Sequence, residues 1–194
     1  MAKNIGLFFG TFNPIHVGHL ILANFMAQRD EIDEVWLVVT PRNPFKVKDT
    51  LLDDIHRLAL VREAVDTNLK LKESNIEFSL PQPNYTVNTL AVLEEQYPEK
   101  TFTLIMGEDN LKSFHKWKNY ELILKNHHIY MYPRVPVQKI ETQFDGHKNI
   151  HVINAPLMEL SSTFIRKAIK EGKNVQPMLP QHVWEYLDEM NFYK

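Results

Sequence analysis

Two histidines, His16 and His19, stand three residues apart in the segment GTFNPIHVGHL, directly after a short apolar run. If a helix begins near Ile15 or His16, both imidazoles lie on one face of its first turn. That turn also has unpaired backbone N–H groups and the positive end of the helix dipole, which together favour anions. The two imidazoles, as hydrogen-bond donors or partial cations, could therefore hold a polyphosphate there.

A second group of anion-binding residue types lies in SSTFIR, residues 161–166. Ser161 or Ser162 can cap a helix at this point, and the Arg166 guanidinium, one turn later, can fork onto phosphate oxygens. Each segment alone has a simpler interpretation. The histidines could be ordinary surface or core residues or two metal ligands, and SSTFIR could be a plain cap. A glycine turn, two histidines and Gly18, which allows a close approach, together favour a phosphate site.

The elements that must position these residues are short apolar strands alternating with longer amphipathic stretches. Predicted strands include NIGLFFG, EVWLVVT and TFTLIMG, and predicted helices include LLDDIHRLALVREAVD, in which Leu52, Ile55, Leu58, Ala59 and Arg62 are spaced for a helix. This alternation predicts an α/β fold with a doubly wound, mostly parallel sheet and helices on both faces. Ligands of such folds bind beyond the carboxyl ends of the strands, which selects residues 10–19, 41–46, 107–110 and 133–134.

Length and composition limit the alternatives. The 194 residues suit one domain, residues 1–194, in which residues from about 160 to 194 form a C-terminal helical part carrying SSTFIR. The net charge of −2 gives no reason to expect nucleic acid as a partner. The absence of cysteine excludes disulfides, thiolate metal sites and cysteine nucleophiles. With no membrane-spanning run and no signal-peptide layout, we expect a cytoplasmic protein without a membrane partner. Homo-oligomer formation stays open.

Both motifs resemble signatures of one superfamily. HVGH, residues 16–19, is similar to the (H/T)xGH motif of the nucleotidylyltransferase superfamily, and SSTFIR, preceded by Leu160, is similar to its ISSTxIR motif. Three further segments, PRNPFK, NYTVNTL and IMGEDNLKSFHKW, resemble the PxxxPPHK, SYTxDTL and IxGxDxLxxFxxW blocks of the bacterial nicotinate-nucleotide adenylyltransferases. The resemblance extends from residue 6 to about residue 186, and this family shares the predicted Rossmann-like fold.

The chain departs from the family pattern at several positions. Asn13 replaces the aspartate of a common GTFDP sequence, which keeps the capacity to form turns but removes a negative charge. Asn43 and Phe45 interrupt the PxxxPPHK pattern, so that Pro44 and Lys46 are its matching residues. Asn84 and Asn88 stand where SYTxDTL has serine and aspartate.

The resemblance implies transfer of AMP from ATP to nicotinate mononucleotide, giving deamido-NAD and pyrophosphate, with Mg²⁺ bound through the ATP phosphates and no protein metal site. It implies His16, His19 and Arg166 as catalytic residues. The implied ATP-binding residues are Gly10, Thr11, Phe12, His16, His19, Lys46, Gly107, Asp109, Ser161, Ser162, Thr163 and Arg166. The implied contacts of nicotinate mononucleotide are Asn13, Lys46, Tyr85, Thr86, Trp117, Lys118 and Arg134.

Two other functions stay open from the sequence. A related transferase could act on pantetheine phosphate or on nicotinamide mononucleotide, although pantetheine-phosphate enzymes are typically shorter and lack the block that ends in KW. A nucleotide-binding sensor without catalysis is the second alternative, and the intact His16, His19 and Arg166 argue against it.

Overall fold

A six-stranded parallel sheet forms the centre of the protein in a computed structural model that describes residues 2–42, 51–133 and 143–194. The strand order is β3-β2-β1-β4-β5-β6, and every neighbouring pair is parallel. The strands are β1 Lys3–Gly10, β2 Glu34–Val39, β3 Leu71–Ser74, β4 Lys100–Gly107, β5 His128–Tyr132 and β6 Ile150–Val152.

Helices cover both faces of this sheet, as the alternating pattern predicts. They are α1 Val17–Ala27, α2 Asp54–Val65, α3 Thr86–Gln96, α4 Glu108–Lys112, α5 Tyr120–Asn126, α6 Ser162–Lys170 and α7 Gln181–Glu189. Buried side chains of α1, α2, α6 and α7 form one core cluster with the sheet, and those of α3, α4 and α5 form a second. The doubly wound α/β fold is therefore confirmed.

The two core clusters follow from the alternation of side chains along each strand. Leu7 belongs to one cluster and its neighbour Phe8 to the other, and Leu37 and Val38 divide in the same way. Successive residues of a strand point to opposite faces, and both faces are covered here. The strands consequently consist of nearly continuous apolar residues rather than alternating ones.

The order of the strands places a crevice between β1 and β4. From β1 the chain continues to β2 and β3 on one side, and it later returns so that β4 pairs with the other side of β1. Where the direction of winding reverses in this way, the loops after the two central strands separate and leave a binding crevice. Gly10 and Gly107, which end β1 and β4, stand at this crevice.

Helix α2 forms as its periodicity predicts, but the residues that mark the period are not its buried face. Ile55 is 69% exposed, whereas Arg57, Leu60 and Val61 are fully buried. The buried side faces β3 and α7, and it accepts Arg57 because the guanidinium finds hydrogen-bond acceptors inside the protein.

The C-terminal helices pack on the same core as the first strand. Ile165 of α6 and Val183 of α7 share a cluster with Phe8 of β1. The helices of the C-terminal segment and the first strand thus share one core cluster. Within the described ranges, none of the helices combines the length and apolar character needed to cross a membrane.

Candidate active site

A cavity of about 710 Å³ opens at the crevice between β1 and β4. Its lining includes most of the residues predicted to bind ATP, although they come from distant parts of the chain. They are Gly10, Thr11, Phe12, His16, His19, Asp109, Ser161, Ser162, Thr163 and Arg166, and Asn13 lines the cavity beside them. The structure thus brings the HVGH and SSTFIR motifs to one site.

The loop between β1 and α1, residues 11–16, is called the β1–α1 turn here. Helix α1 begins at Val17, later than the predicted start at Ile15 or His16. His16 is its N-cap, with extended backbone angles, and the His16 carbonyl accepts from the backbone N–H of His19 at 2.9 Å. An N-cap residue keeps a non-helical backbone while its carbonyl starts the helix, so the predicted start was wrong by one or two residues.

The two imidazoles stack on each other at the N-terminus of α1. Their ring centroids are 3.7 Å apart, with 26° between the planes. The backbone N–H of His16 donates to Nδ1 of His19 at 3.3 Å. Because Nδ1 accepts, the proton of a neutral His19 ring is on Nε2. His19, which lines the cavity, therefore has the correct tautomer to donate a hydrogen bond through Nε2.

His16 is a neutral imidazole rather than a partial cation. Its side chain is only 4% exposed, and burial lowers its pKa from 6.5 to about 4. Among the described residues, Nδ1 of His16 is buried and has no hydrogen-bond partner. Of the two alternatives for the imidazoles, hydrogen-bond donor or partial cation, burial favours the neutral, hydrogen-bonding ring at His16, since charge on a buried ring without a counter-ion is unfavourable.

Two glycines allow the aromatic rings of the turn to pack. A Cβ atom at Gly10 would lie 2.8 Å from the Phe12 ring, and one at Gly18 would lie 3.1 Å from the His16 ring. The group that approaches Gly18 closely is therefore the His16 imidazole, whereas the sequence suggested a close approach by a ligand or by neighbouring backbone. Phe12 has a positive φ of 44°. A non-glycine residue in this region carries strain of about 1–3 kcal/mol, so the turn needs support from its surroundings.

Arg57 supplies part of that support, although no sequence signal distinguishes it from the other arginines. Its guanidinium donates to the carbonyls of Thr11 at 2.6 Å and Thr40 at 2.9 Å, which follow β1 and β2. A third interaction pairs it with the Asp54 carboxylate. The buried side chain therefore connects two loops at the carboxyl edge of the sheet and places a positive charge behind the turn.

SSTFIR contributes both a helix cap and contacts to the turn. Ser161 caps α6 by accepting from the backbone N–H of Phe164 at 3.2 Å. The Ser162 hydroxyl donates to the Pro14 carbonyl at 2.8 Å, although the two residues are 148 positions apart. Arg166 donates through one nitrogen to the Asn13 carbonyl at 2.8 Å. A guanidinium has further N–H groups, so Arg166 can hold the turn and still bind an anion.

Asn13 is the residue on which these contacts converge. It is 2% exposed, and its side-chain oxygen accepts from the backbone N–H of Leu52 at 3.1 Å and from the Tyr193 hydroxyl at 2.5 Å. Burial raises the pKa of Tyr193 well above its usual range, so this hydroxyl keeps its proton. Sequence reasoning missed Tyr193, because only the fold brings residue 193 to residue 13.

The two residues predicted to lie near the adenosine ribose, Gly107 and Asp109, differ in their access to the cavity. Gly107 is the buried N-cap of α4 and lies outside the cavity lining, whereas Asp109 is exposed and lines it. The carboxylate of Asp109 is therefore placed to accept from a ligand hydroxyl.

Four of the residues assigned to nicotinate mononucleotide form a second group, called the nicotinate side here: Tyr85, Thr86, Trp117 and Lys118. Asn13, assigned with them, lines the cavity instead. Nζ of Lys118 lies 4.7 Å from the centre of the Tyr85 ring. Tyr85 is the N-cap of α3, which begins at Thr86, and Trp117 is half-buried with its ring edge-to-face against Phe114. This group lies apart from the cavity lining. Lys46 and Arg134 fall outside the described residues.

Comparison with known proteins agrees with this arrangement. The chain matches the cytidylyltransferase-like family over residues 7–168. A "probable nicotinate-nucleotide adenylyltransferase" of Flavobacterium psychrophilum is 63% identical over 190 residues, which cover 98% of each chain. A protein of the same name from Bacteroides thetaiotaomicron is 43% identical, over 95% of this chain and 90% of its own length.

The fold also has solved relatives. The nicotinic acid mononucleotide adenylyltransferase of Plasmodium falciparum, complexed with NaAD, superimposes with a TM-score of 0.81 at 19% identity and covers 98% of this chain and 97% of its own. At that identity the likeness concerns the fold, whereas the curated bacterial relatives extend it to the family. The chain therefore belongs to the cytidylyltransferase-like family and, within it, to the nicotinate-nucleotide adenylyltransferases.

Proposed function

We propose that this protein transfers the adenylyl group of ATP to nicotinate mononucleotide, which gives deamido-NAD and pyrophosphate for NAD biosynthesis. The observation that carries the proposal is the meeting of two motifs at one cavity. Ser162 and Arg166 of SSTFIR donate to the carbonyls of Pro14 and Asn13, directly before HVGH. Phosphate-binding groups from both ends of the chain thereby face one space at the crevice of the sheet.

The reaction proceeds by direct attack. The 5′-phosphate oxygen of the mononucleotide attacks the α-phosphorus of ATP, and the bond to the departing pyrophosphate breaks. A phosphate monoester is already largely ionised near pH 7, so the attack needs no general base. The neutral, buried His16 agrees with this mechanism, because the site then needs positioned donors for developing charge. No covalent enzyme intermediate is required.

The phosphate side of the site consists of the β1–α1 turn and the start of α6. We assign His16 and Nε2 of His19, whose rings stack on each other and both line the cavity, to the α-phosphate and the leaving group. Backbone groups of Gly10, Thr11 and Phe12 approach the α-phosphate. The group that holds the β- and γ-phosphates comprises Ser161, Ser162, Thr163 and Arg166, and Asp109 with Gly107 takes the ribose. We also assign Lys46 to the phosphates.

The nicotinate side consists of two chain segments that can offer donors to a carboxylate. Helix α3 begins at Thr86, so its first N–H groups have no partner within the helix and can face an anion. Trp117 stacks on the pyridine ring, and the backbone N–H of Lys118 offers a further donor. Tyr85, Asn13, Lys46 and Arg134 complete this proposed set.

Mg²⁺ fits the donor set of the cavity as a partner of the phosphates. Among the described residues, no three histidine or acidic side chains form a group that could hold a metal. Mg²⁺ commonly keeps several waters and binds through substrate phosphates with one or two carboxylates, and Asp109 and Glu159 line the cavity. When bound, the ion would neutralise part of the negative charge of the triphosphate.

The setting of the reaction belongs to the same proposal. A cytoplasmic location agrees with the absence of cysteine. A homo-oligomer is compatible with the assignment.

A pyrophosphate-release assay tests the proposal. ATP and Mg²⁺ are combined with nicotinate mononucleotide, nicotinamide mononucleotide or pantetheine phosphate, and kcat/KM is compared. We expect nicotinate mononucleotide to be preferred over the nicotinamide form by at least about 100-fold, because a carboxamide NH₂ would meet a donor. Equal use of the two would show dual specificity, and release with pantetheine phosphate alone would refute the proposal.

A further inference from the structure

The C-terminal tail reaches the β1–α1 turn that lines the active-site cavity. After α7 the chain reverses direction, with positive φ values at Asn191 and Tyr193, and the Tyr193 hydroxyl arrives 2.5 Å from Oδ1 of Asn13. The tail is fixed by its own contacts. The backbone N–H of Phe192 donates to the Leu187 carbonyl at 3.0 Å, and the Lys194 ammonium pairs with the Asp188 carboxylate at 2.9 Å.

Asn13 transmits this contact to groups that face the triphosphate. Its carbonyl accepts from Arg166, and it directly follows Phe12, whose positive φ needs support. The same side-chain oxygen that meets Tyr193 also accepts from the Leu52 N–H. A shift of Asn13 would therefore move both the backbone of the β1–α1 turn and the anchor of the Arg166 guanidinium.

We propose that Tyr193 is a positioning residue for adenylyl transfer, which acts by donating to Asn13 and thereby holds the β1–α1 turn and Arg166 in place. This inference rests on the proposed function, because the turn and Arg166 are assigned there to the triphosphate. The hydroxyl must donate, since Oδ1 of an asparagine side chain only accepts. Its high pKa, caused by burial, keeps the donor proton in place at working pH, even though Arg166 and Arg57 oppose the shift.

A purely structural role is the competing explanation, and the chain offers a matched control for it. The hydroxyl of Tyr186, on α7, meets Nδ1 of His56 on α2 at 3.0 Å rather than a residue of the β1–α1 turn. Both Tyr186 and Tyr193 are half-buried. Tyr193→Phe and Tyr186→Phe each remove one hydroxyl and keep the ring, so each should lower the melting temperature by a few degrees.

The test compares kcat, the KM for nicotinate mononucleotide and the Kd for ATP in wild type and both variants. We expect Tyr193→Phe to lower kcat about tenfold and to weaken ATP about threefold, with the KM for the mononucleotide unchanged, because small misplacements of positioned groups are costly. Tyr186→Phe should keep wild-type values of all three. In an Asn13→Ala background, Tyr193→Phe should change kcat by less than about twofold, since its route of action is already lost.

Each contrary result has one meaning. If Tyr193→Phe matches Tyr186→Phe in kcat and in ATP affinity, Tyr193 is a structural residue and the inference is wrong. If Tyr193→Phe lowered kcat by the same tenfold in the Asn13→Ala background, the route through Asn13 would be wrong. An inactive wild type would refute the proposed function instead, and the ATP dissociation constants of the two variants would then decide the positioning role alone.

Discussion

The phosphate side and the nicotinate side are built in different ways. On the phosphate side, four residues from three separate parts of the chain all donate to the β1–α1 turn: Arg57 of α2, Ser162 and Arg166 of α6, and Tyr193 after α7. The nicotinate side combines the start of α3 with the exposed Lys118 against the Tyr85 ring. Long-range hydrogen bonds thus end on the β1–α1 turn itself, whereas on the nicotinate side the long-range pair is between Arg42 and Asn84, the residue before Tyr85.

The difference follows from what each region must do. Charge develops on the phosphates during the reaction, and donors lower that barrier only if they are held in place before it. Recognition of a flat ring and its carboxylate requires a stacking surface and a few N–H groups. Substitutions on the phosphate side should therefore affect turnover and ATP, and those on the nicotinate side should affect the binding of the mononucleotide.

The largest effect is expected at His19. His19→Ala removes the donor that Nε2 presents to the triphosphate, and the loss of one such donor costs about 3 kcal/mol, or roughly 100-fold in kcat. Steady-state pyrophosphate release measures this effect. His182→Ala, at an exposed position of α7, is the control and should keep wild-type kcat. A His19→Ala variant with near wild-type kcat would remove His19 from the mechanism.

The second prediction concerns acid stability. The pKa of His16 is about 4 in the folded protein and near 6.5 when the chain unfolds. The unfolded chain therefore binds the extra proton as the pH falls from 6.5 towards 4, and the stability that is present above pH 6.5 is lost in that window. Between pH 7 and pH 5 we expect a loss of about 2 kcal/mol from this residue. Urea unfolding at several pH values measures it.

Two variants sharpen that measurement. His16→Asn keeps a residue that caps helices well and should reduce the fall in stability below pH 6.5. His115→Asn replaces an exposed histidine close to Trp117 on the nicotinate side and should leave the acid dependence as in wild type. The same acid dependence in all three proteins would show that the burial of His16 does not govern it.

Whether a structural feature can be predicted from the sequence depends on how far apart along the chain its contacting residues lie. The strands, the helices and the two motifs follow from local patterns, and the crevice follows from the order of the strands. Arg57 and Tyr193 could not be found in this way, because they reach Thr11 and Asn13 across 46 and 180 positions. The neutral state of His16 was also beyond the sequence, since burial causes it.

An intermediate effect is expected at Arg166. Arg166→Lys leaves a single ammonium, which cannot hold the Asn13 carbonyl and fork onto phosphate oxygens at the same time. The KM for ATP should rise about tenfold, with little change in melting temperature or in the KM for the mononucleotide. Lys167→Arg, the reverse exchange at the next, exposed position, should behave as wild type. ATP saturation kinetics equal to wild type would show that Arg166 does not bind phosphate.

The smallest effect is expected at Trp117, and it tests the nicotinate side directly. Trp117→Ala removes the proposed stacking surface, and stacking of a base on an aromatic ring is worth about 1–3 kcal/mol. This half-buried ring packs edge-to-face against Phe114, with 5.4 Å between the ring centroids, so we expect the low end, about a fivefold higher KM for nicotinate mononucleotide. The KM for ATP should not change, which separates this variant from Arg166→Lys.

Trp117 also supports the core next to Phe114, so the test must separate binding from packing. Trp117→Ala should lower the melting temperature as well, whereas Trp117→Phe keeps an aromatic surface and should retain most of the affinity for the mononucleotide. If the melting temperature of Trp117→Ala falls while its KM for nicotinate mononucleotide stays at the wild-type value, the ring serves packing alone. The nicotinate side would then rest on the N–H groups at the start of α3 and at Lys118, and the contrast with the phosphate side would be sharper still.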